Sequence, residues 1–191
     1  MLKDKRTAMV GTLVVAVFLS LLTLTNPGKA LAGSAFLKID VAPGESTDAK
    51  HKDWIEAMTW SFGDTNSGTL ATGGGAGAGK VTMQNFRVTK KMCKASPKLF
   101  LLCARGDHIT EVSLEVCRSG GDKQTFLKVK LSDVIVSSFV NLGSSTTDAP
   151  GEEIVFNFGK IEISYTQMDS NTGKPMGDIK TYWDVKSNKG N

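Results

Sequence analysis

Cysteine, histidine and tyrosine are scarce in this chain, with three, two and two residues among 191. Cys93, Cys103 and Cys117 contain no C-x-x-C pair, so no structural zinc site is expected. In an oxidising compartment two of them could pair and leave one free. The plainer reading is three small buried hydrophobes, which suits Cys103 best because it lies in an apolar run. His51 falls in a polar loop and His108 just before a strand, so each reads as a surface or capping residue. Neither G-x-S-x-G nor H-E-x-x-H occurs. The carboxylates are scattered along strands with lysines between them, as on a solvated face. Glu152-Glu153 reads as turn charge rather than an acid–base couple. These residues give no ground for an enzyme, a metal or a cofactor.

An excess of one charge is also lacking. The whole chain carries +4, but Lys3, Lys5, Arg6 and Lys29 against Asp4 account for +3 of it, leaving about +1 on residues 33–191. No basic stripe with interleaved aromatics stands out, so no nucleic-acid partner is expected.

The one long hydrophobic run is at the N-terminus. Lys3, Lys5 and Arg6 form a basic head, Thr7 to Thr25 carries no charge, Asn26-Pro27-Gly28 breaks the run, and Ala30-Leu31-Ala32 is a small-x-small site. That is the layout of a secretory signal peptide cut after Ala32. The run is also close to the roughly 20 residues that a membrane span needs. An uncleaved anchor is therefore the alternative, and residues 1–32 are the only membrane contact expected. Residues 33–191 then make one domain.

Within that domain, apolar residues alternate in short runs. Leu37, Ile39 and Val41 share one face of a first strand over Ala35–Val41. Trp54, Met58, Trp60 and Phe62 share one face of a second strand, opposite Ala57, Thr59 and Ser61. Asp64 to Gly79 has almost no large side chains and is long for a connection between strands. Its Gly74–Lys80 fits G-x-x-x-x-G-K, but Val81 stands where Ser or Thr must hold magnesium. A period-two pattern rather than a helix follows, so a phosphate loop is rejected.

Three runs switch register: Val81 and Met83 to Phe86 and Val88, Leu127–Leu131 to Val134 and Val136, and Ile154–Phe158 to Ile161–Tyr165 across Gly159. Each switch needs a bulge or a bend, which is how a sheet closes on itself. Leu142 to Glu153 reads as a small polar connection, Asn171–Pro175 as a turn, and Ile179–Val185 as the last strand before a polar tail.

The organising stretch is Ala95 to Phe139. Ser96-Pro97 opens a helix over about 97–105, with Ser96 as a candidate cap, and Gly106 stops it. Leu99, Phe100, Leu101 and Leu102 make this helix apolar almost all round, so it is expected to be a buried core helix. Ile109, Val112, Leu114 and Val116 form a half-buried strand, Gly120-Gly121-Asp122 turns the chain, and Thr125–Phe139 returns. The fold class is therefore mainly β: an antiparallel barrel or two-sheet sandwich with one short buried helix.

Several blocks carry a resemblance. They are Phe36-Leu37-Lys38-Ile39-Asp40, Pro43-Gly44-Glu45-Ser46, Trp60-Ser61-Phe62-Gly63, Ala95–Phe100, Gly106-Asp107-His108, Cys117–Gln124, Leu131–Ser138 and Tyr182-Trp183-Asp184. Together they resemble the haemolysin-coregulated protein (Hcp) family, which supplies the tube of bacterial type VI secretion systems. The resemblance implies a homo-hexameric ring that stacks on copies of itself, and a tube that a contractile sheath expels with spike and effector proteins. It implies a secreted protein assembled in the cytoplasm. It places the loop with Gly73, Gly74, Gly75, Gly77 and Gly79 at the contact between stacked rings, and Ser61 at a position lining the lumen. The leader departs from the family pattern and would route the protein to the periplasm. A stand-alone secreted or periplasmic binding barrel is the rival reading, and a small hydrolase fits least.

Overall fold

The computed structural model describes residues 33–68, 81–119, 123–143 and 150–191. The leader, the glycine loop and the Gly120-Gly121-Asp122 turn lie outside the described residues. The strands are β1 (Ser34–Lys38), β2 (Ile55–Ser61), β3 (Asp64–Asn66), β4 (Val81–Met83), β5 (Phe86–Lys91), β6 (His108–Cys117), β7 (Thr125–Leu142), β8 (Gly151–Met168), β9 (Pro175–Asp184) and β10 (Lys189–Gly190). Helix α1 (Ser96–Arg105) joins β5 to β6.

Six of these strands close a barrel. The order is β8-β5-β2-β1-β6-β7, every pair is antiparallel, and β7 pairs back onto β8. Closure removes the open edges that a flat sheet of this composition would expose. It also decides between barrel and sandwich. β8 is long enough to serve two neighbours on one side: Gly151–Phe156 pairs with β5, and Lys160–Met168 pairs with β9 outside the barrel. β3 and β4 form a separate two-stranded ribbon. The switch from Val81/Met83 to Phe86/Val88 is thus a change of sheet at Gln84-Asn85.

The other two switches are one bend shared by three strands. Ile109 and Val112 on β6, Leu131 and Val134 on β7, and Phe158 and Ile161 on β8 are all buried, although each pair is spaced by three. Pairing stays in step across the bend, with Val112↔Leu131↔Ile161 on one side and Ile109↔Val134↔Phe158 on the other. Asp133 takes a left-handed φ of 54° at the corner. Opposite it, a Cβ on Gly159 would stand 3.1 Å from Asp133 Oδ2, so a larger residue there would push the Asp133 side chain aside by a few tenths of an ångström. The sheet folds over without any strand slipping, and the apolar set stays inside. A true bulge lies further along β7, between Val136 and Ser138.

Several sequence expectations need correction. β1 ends at Lys38, and Val41 is exposed. β2 carries a bulge between Ala57 and Thr59. Ile55 and Ala57 face the core before it, Trp60 and Phe62 after it, and Met58 is expelled to 62% exposure. β8 begins at Gly151, so Glu152 and Glu153 are strand residues and not turn residues. The polar tail forms β10 against β9. The histidines divide: His108 is exposed, but His51 is buried. Cys117 is buried, while Cys93 and Cys103 are half-buried, and all three are free thiols.

Helix α1 packs chiefly on β7. Gly106, in the left-handed region at φ 66°, ends it and donates its N–H to the Cys103 carbonyl. Leu99 and Leu102 are buried and Leu101 is half-buried. Phe100 is 59% exposed, resting edge-on against Phe139. The helix therefore has one buried face instead of being buried all round. This gives a direct contrast: Leu99→Asp places an unpaired charge in the core and should cost several kcal/mol (about 3 or more), enough to unfold a domain of ordinary stability. Phe100→Asp should shift the urea midpoint by no more than about 0.5 kcal/mol equivalent. Equal losses in both variants would return the helix to the fully buried reading.

Candidate assembly surfaces

At the closing seam, Lys90 on β5 stands opposite Glu152 on β8. Both side chains are 0% exposed, and they form an ion pair through Nζ and Oε2. Ser96, the first residue of α1, donates its hydroxyl to the same Oε2 at 2.7 Å. The serine oxygen accepts from Lys90 Nζ at 2.9 Å and from the Cys93 N–H at 3.0 Å. Lys90 also donates to the Lys91 carbonyl at 3.0 Å. Ser96 is thus no side-chain cap, since position Ala95 precedes the helix and makes no capping bond. It pins the start of the helix to the barrel seam. The sequence reading missed this site because Lys90 looks like part of a solvated strand face and Glu152 like a turn charge. The available signal was the alternation itself, which puts Lys90 on the face of Phe86 and Val88.

A second polar cluster fastens residues 42–53, a strap that leaves β1 and returns to β2. Its backbone closes on itself through Gly44 N–H to Asp53 O at 2.8 Å and Ser46 N–H to Trp54 O at 3.0 Å. A Cβ on Gly44 would stand 2.6 Å from Ile55 Cα, so this crossing admits only glycine. His51 lies under the strap, stacked on Phe36 at 4.2 Å and edge-on to Trp54. Lys94, just before α1, ties the other side by donating its N–H to Glu45 Oε1 at 2.6 Å and its ammonium to Asp53 Oδ1 at 3.0 Å.

The barrel leaves one long edge. β10 covers only Trp183 and Asp184 of β9, with Asn191 and Tyr182 exchanging bonds at 3.4 Å beyond them. From Pro175 to Thr181, no strand among the described residues pairs with β9 on that side. Alternation from Tyr182 turns the N–H and C=O groups of Lys180 and Asp178 toward this open side. The same region carries an apolar stripe that continues the core outward. Leu131↔Ile161↔Trp183 is followed by Val129↔Ile163↔Thr181 and then by Leu127↔Tyr165↔Ile179. Ile179 at 66% exposure ends the stripe in solvent.

The opposite face of these strands is a lattice of paired charges: Lys128 with Glu115, Lys130 with Glu111, and Lys160 with Glu162. Lys130, against the opposing effect of burial and with help from Ser113, holds the Glu111 carboxyl below its ordinary range. At the corner, Lys186 and then His108 hold Asp133 below the ordinary range.

Ser61 is exposed at the end of β2, in register with Arg87 on β5. Its neighbours are low in free charge, with Arg87 paired to Glu153 and the Thr59 and Thr89 hydroxyls 2.6 Å apart. Gly73, Gly74, Gly75, Gly77 and Gly79 lie outside the described residues. A cleft of about 280 Å³ separates the β3–β4 ribbon from β8 and β9, lined by Val81, Met83, Ile161, Ile163 and Trp183 with Asp64 and Asn66 at its rim. Among the described residues no group of three His, Cys, Asp or Glu side chains is disposed to hold a metal. Among the described residues, what the chain presents is surfaces and an edge.

Comparison with known proteins agrees with this geometry. The family described as type VI secretion system effector, Hcp, matches residues 36–165. Protein hcp1 of Pseudomonas aeruginosa is 34% identical over 159 residues, covering 83% of this chain and 98% of that protein. A type six secretion system protein of known structure is 37% identical with a TM-score of 0.79, covering 84% of this chain and 100% of its own. Hcp1 from Salmonella typhimurium is 32% identical with a TM-score of 0.69, over 84% of this chain and 99% of its own.

The seam makes a sharp prediction about stability. Lys90→Met leaves the Glu152 carboxylate buried without its cation and should cost about 3–5 kcal/mol. Adding Glu152→Leu removes the stranded charge and should restore most of that loss, because an apolar pair of similar volume commonly replaces a buried ion pair at no net cost. Chemical denaturation of the single and double variants measures both. A double variant no more stable than the single would mean that the pair is not the relevant unit.

Proposed function

The chain belongs to the Hcp family of the type VI secretion system, a family of structural proteins and not of enzymes, and from this premise we propose that it is a tube subunit. Six copies close into a ring, rings stack into a tube, and the tube is expelled with the effectors it carries. The sheath that drives the tube out and the spike proteins are its other partners, and it leaves the cell with the effectors it carries. Residues 33–191 do the assembling on this reading.

The observation that carries the proposal is the open side of β9. The six barrel strands have spent their edges on one another, yet among the described residues Pro175–Thr181 has no strand partner on its outer side, beside the exposed Met176, Ile179 and Tyr165. Such an edge invites strand addition and aggregation unless it is covered. A head-to-tail contact repeated around an axis covers every copy once and leaves none open. The low-charge face around Ser61 is suited to lining a lumen through which other proteins pass. The five glycines between Gly73 and Gly79 are suited to a contact that orders only on stacking, since ordering costs roughly 1–2 kcal/mol per residue in backbone entropy.

Two measurements test this. Light scattering on residues 33–191 at micromolar concentration should give about six times the monomer mass, and Ile179→Lys, which puts a charge on the apolar stripe, should shift the particle toward monomer. A monomeric parent would favour a stand-alone secreted or periplasmic barrel. Replacing Ala71 to Ala78 by a two-residue turn should leave rings intact and abolish tubes and secretion. Tubes that form equally well without the loop would reduce it to a connector.

A further inference from the structure

The open run of β9 is complementary to itself. Asp178 and Lys180 turn their N–H and C=O groups outward, and among the described residues neither has a strand partner on that side. Ile179 stands between them, on the apolar face with its β8 partner Tyr165, and is exposed. The Asp178 and Lys180 side chains lie on the other face, because side chains alternate along a strand. Both are exposed, and Lys180 Nζ stands 3.5 Å from Asp178 Oδ2, a loose contact within one strand.

A second copy related by a two-fold axis at Ile179 brings its own β9 alongside, antiparallel to the first. Ile179 then faces the partner's Ile179, Asp178 faces the partner's Lys180, and Lys180 faces the partner's Asp178. The hydrogen-bond parity is correct. In an antiparallel pair, a residue with outward groups exchanges both bonds with another of the same kind, and Asp178 opposite the partner's Lys180 meets that condition on each side of the axis. Ile179 opposite the partner's Ile179 is the close, non-hydrogen-bonded pair between them. An axis at Asp178 or at Lys180 would set like charges directly opposite, which is destabilising. An axis at Thr181 would run the partner's strand into β10 on Trp183.

We propose that copies outside a ring pair through β9 in this way, with Ile179 on the two-fold axis. The pair joins two β7–β8–β9 sheets edge to edge, and both faces continue across it. On one face the row Leu127, Tyr165, Ile179 meets the same row of the partner. On the other, Lys180 and Asp178 join the two lattices of paired charge. The contact spans Gly177–Thr181. Asn191 already holds Tyr182 beyond one end. At the other end the irregularity between Gln167 and Met168 stops regular pairing of β9 at Gly177. The edge is the one that ring assembly covers, so a copy is in the pair or in the ring. The pair needs the open edge but not the tube.

A single cysteine reads the symmetry. Opposed residues of a non-hydrogen-bonded pair have Cα atoms about 4.5 Å apart, within disulfide reach. Ile179→Cys in the full chain, treated with diamide, should therefore cross-link to its own copy. Thr181→Cys faces the partner's Gly177, about four residues or ~13 Å from the partner's Thr181, and should not. The first should react at least about tenfold faster than the second, because pairing raises its effective concentration. The parent, with Cys93, Cys103 and Cys117 in place, is the blank. Adding Asp178→Lys to the Ile179→Cys chain opposes like charges on both sides of the axis and should slow the reaction about tenfold. Adding Lys180→Asp as well restores opposite charges across the axis and should restore the rate. An Ile179→Cys chain that cross-links no faster than Thr181→Cys overturns the proposal, and so does a double charge exchange that stays slow. Particle mass keeps the pair and the ring distinct. Particles of about six copies without a cross-link at position 179 overturn the pair and leave the ring. Cross-linked pairs that never exceed twice the monomer mass support the pair and remove the ring.

Discussion

The closure of the barrel rests on one buried ion pair. Lys90 and Glu152 face each other where β5 meets β8, and the first residue of α1 binds the same carboxylate oxygen. The attraction between the two charges is offset by their desolvation, so the pair adds little net stability. Its contribution is register. A one-residue slip that brings Gly151 opposite Lys90 would bury an ammonium without its partner, and the opposite slip would put Glu153 there but turn Ile154 and Phe156 out of the core. Since β8 also pairs with β7 along its length and with β9 beyond the barrel, a slip at the seam would pass to both. The helix is placed by the same contact, because Ser96 reaches the pair only when α1 starts over the seam.

This interaction also marks the limit of what could be read from the residues in order. The mainly β class, a helix over about 97–105, the β6–β7 hairpin and the need for bends at Leu131–Val134 and Phe158–Ile161 were legible, because apolar periodicity and glycine carry that information locally. Polar residues were misread. Glu152 beside Glu153 looks solvated until β8 is known to begin at Gly151, and His51 looks like a loop residue until Phe36, Asp48 and Glu115 are brought around it. Those contacts join positions far apart in the chain, and no local pattern encodes them. Met58 was misplaced for the same reason: the bulge in β2 answers to β5, not to its own sequence. Phe100 shows a different failure, since an apolar run gives burial on average but not which side chain faces outward.

The surfaces divide by chemistry. A lattice of paired lysines and carboxylates covers one side of the β7–β8–β9 sheet, and pairing leaves little free charge for a partner to recognise. The other side carries the apolar stripe that runs from the core to Ile179. The strap and the helix tie close the remaining ends. Among the described residues, what these strands offer a neighbour is the β9 edge and the apolar groups beside it. A family of structural proteins is consistent with such a body, in which rigidity and one sticky edge matter more than any pocket.

Assembly through β9 requires that its open edge be covered when copies meet. Amide hydrogen exchange of residues 33–191, followed at Asp178 and Lys180 in concentrated and in dilute protein, measures it. The outward amides should exchange slowly in the assembled particle and become fast on dilution to monomer, while the β8-facing amides of β9 stay slow in both. Fast exchange at Asp178 and Lys180 within a particle that is still assembled would show that the copies meet through some other surface.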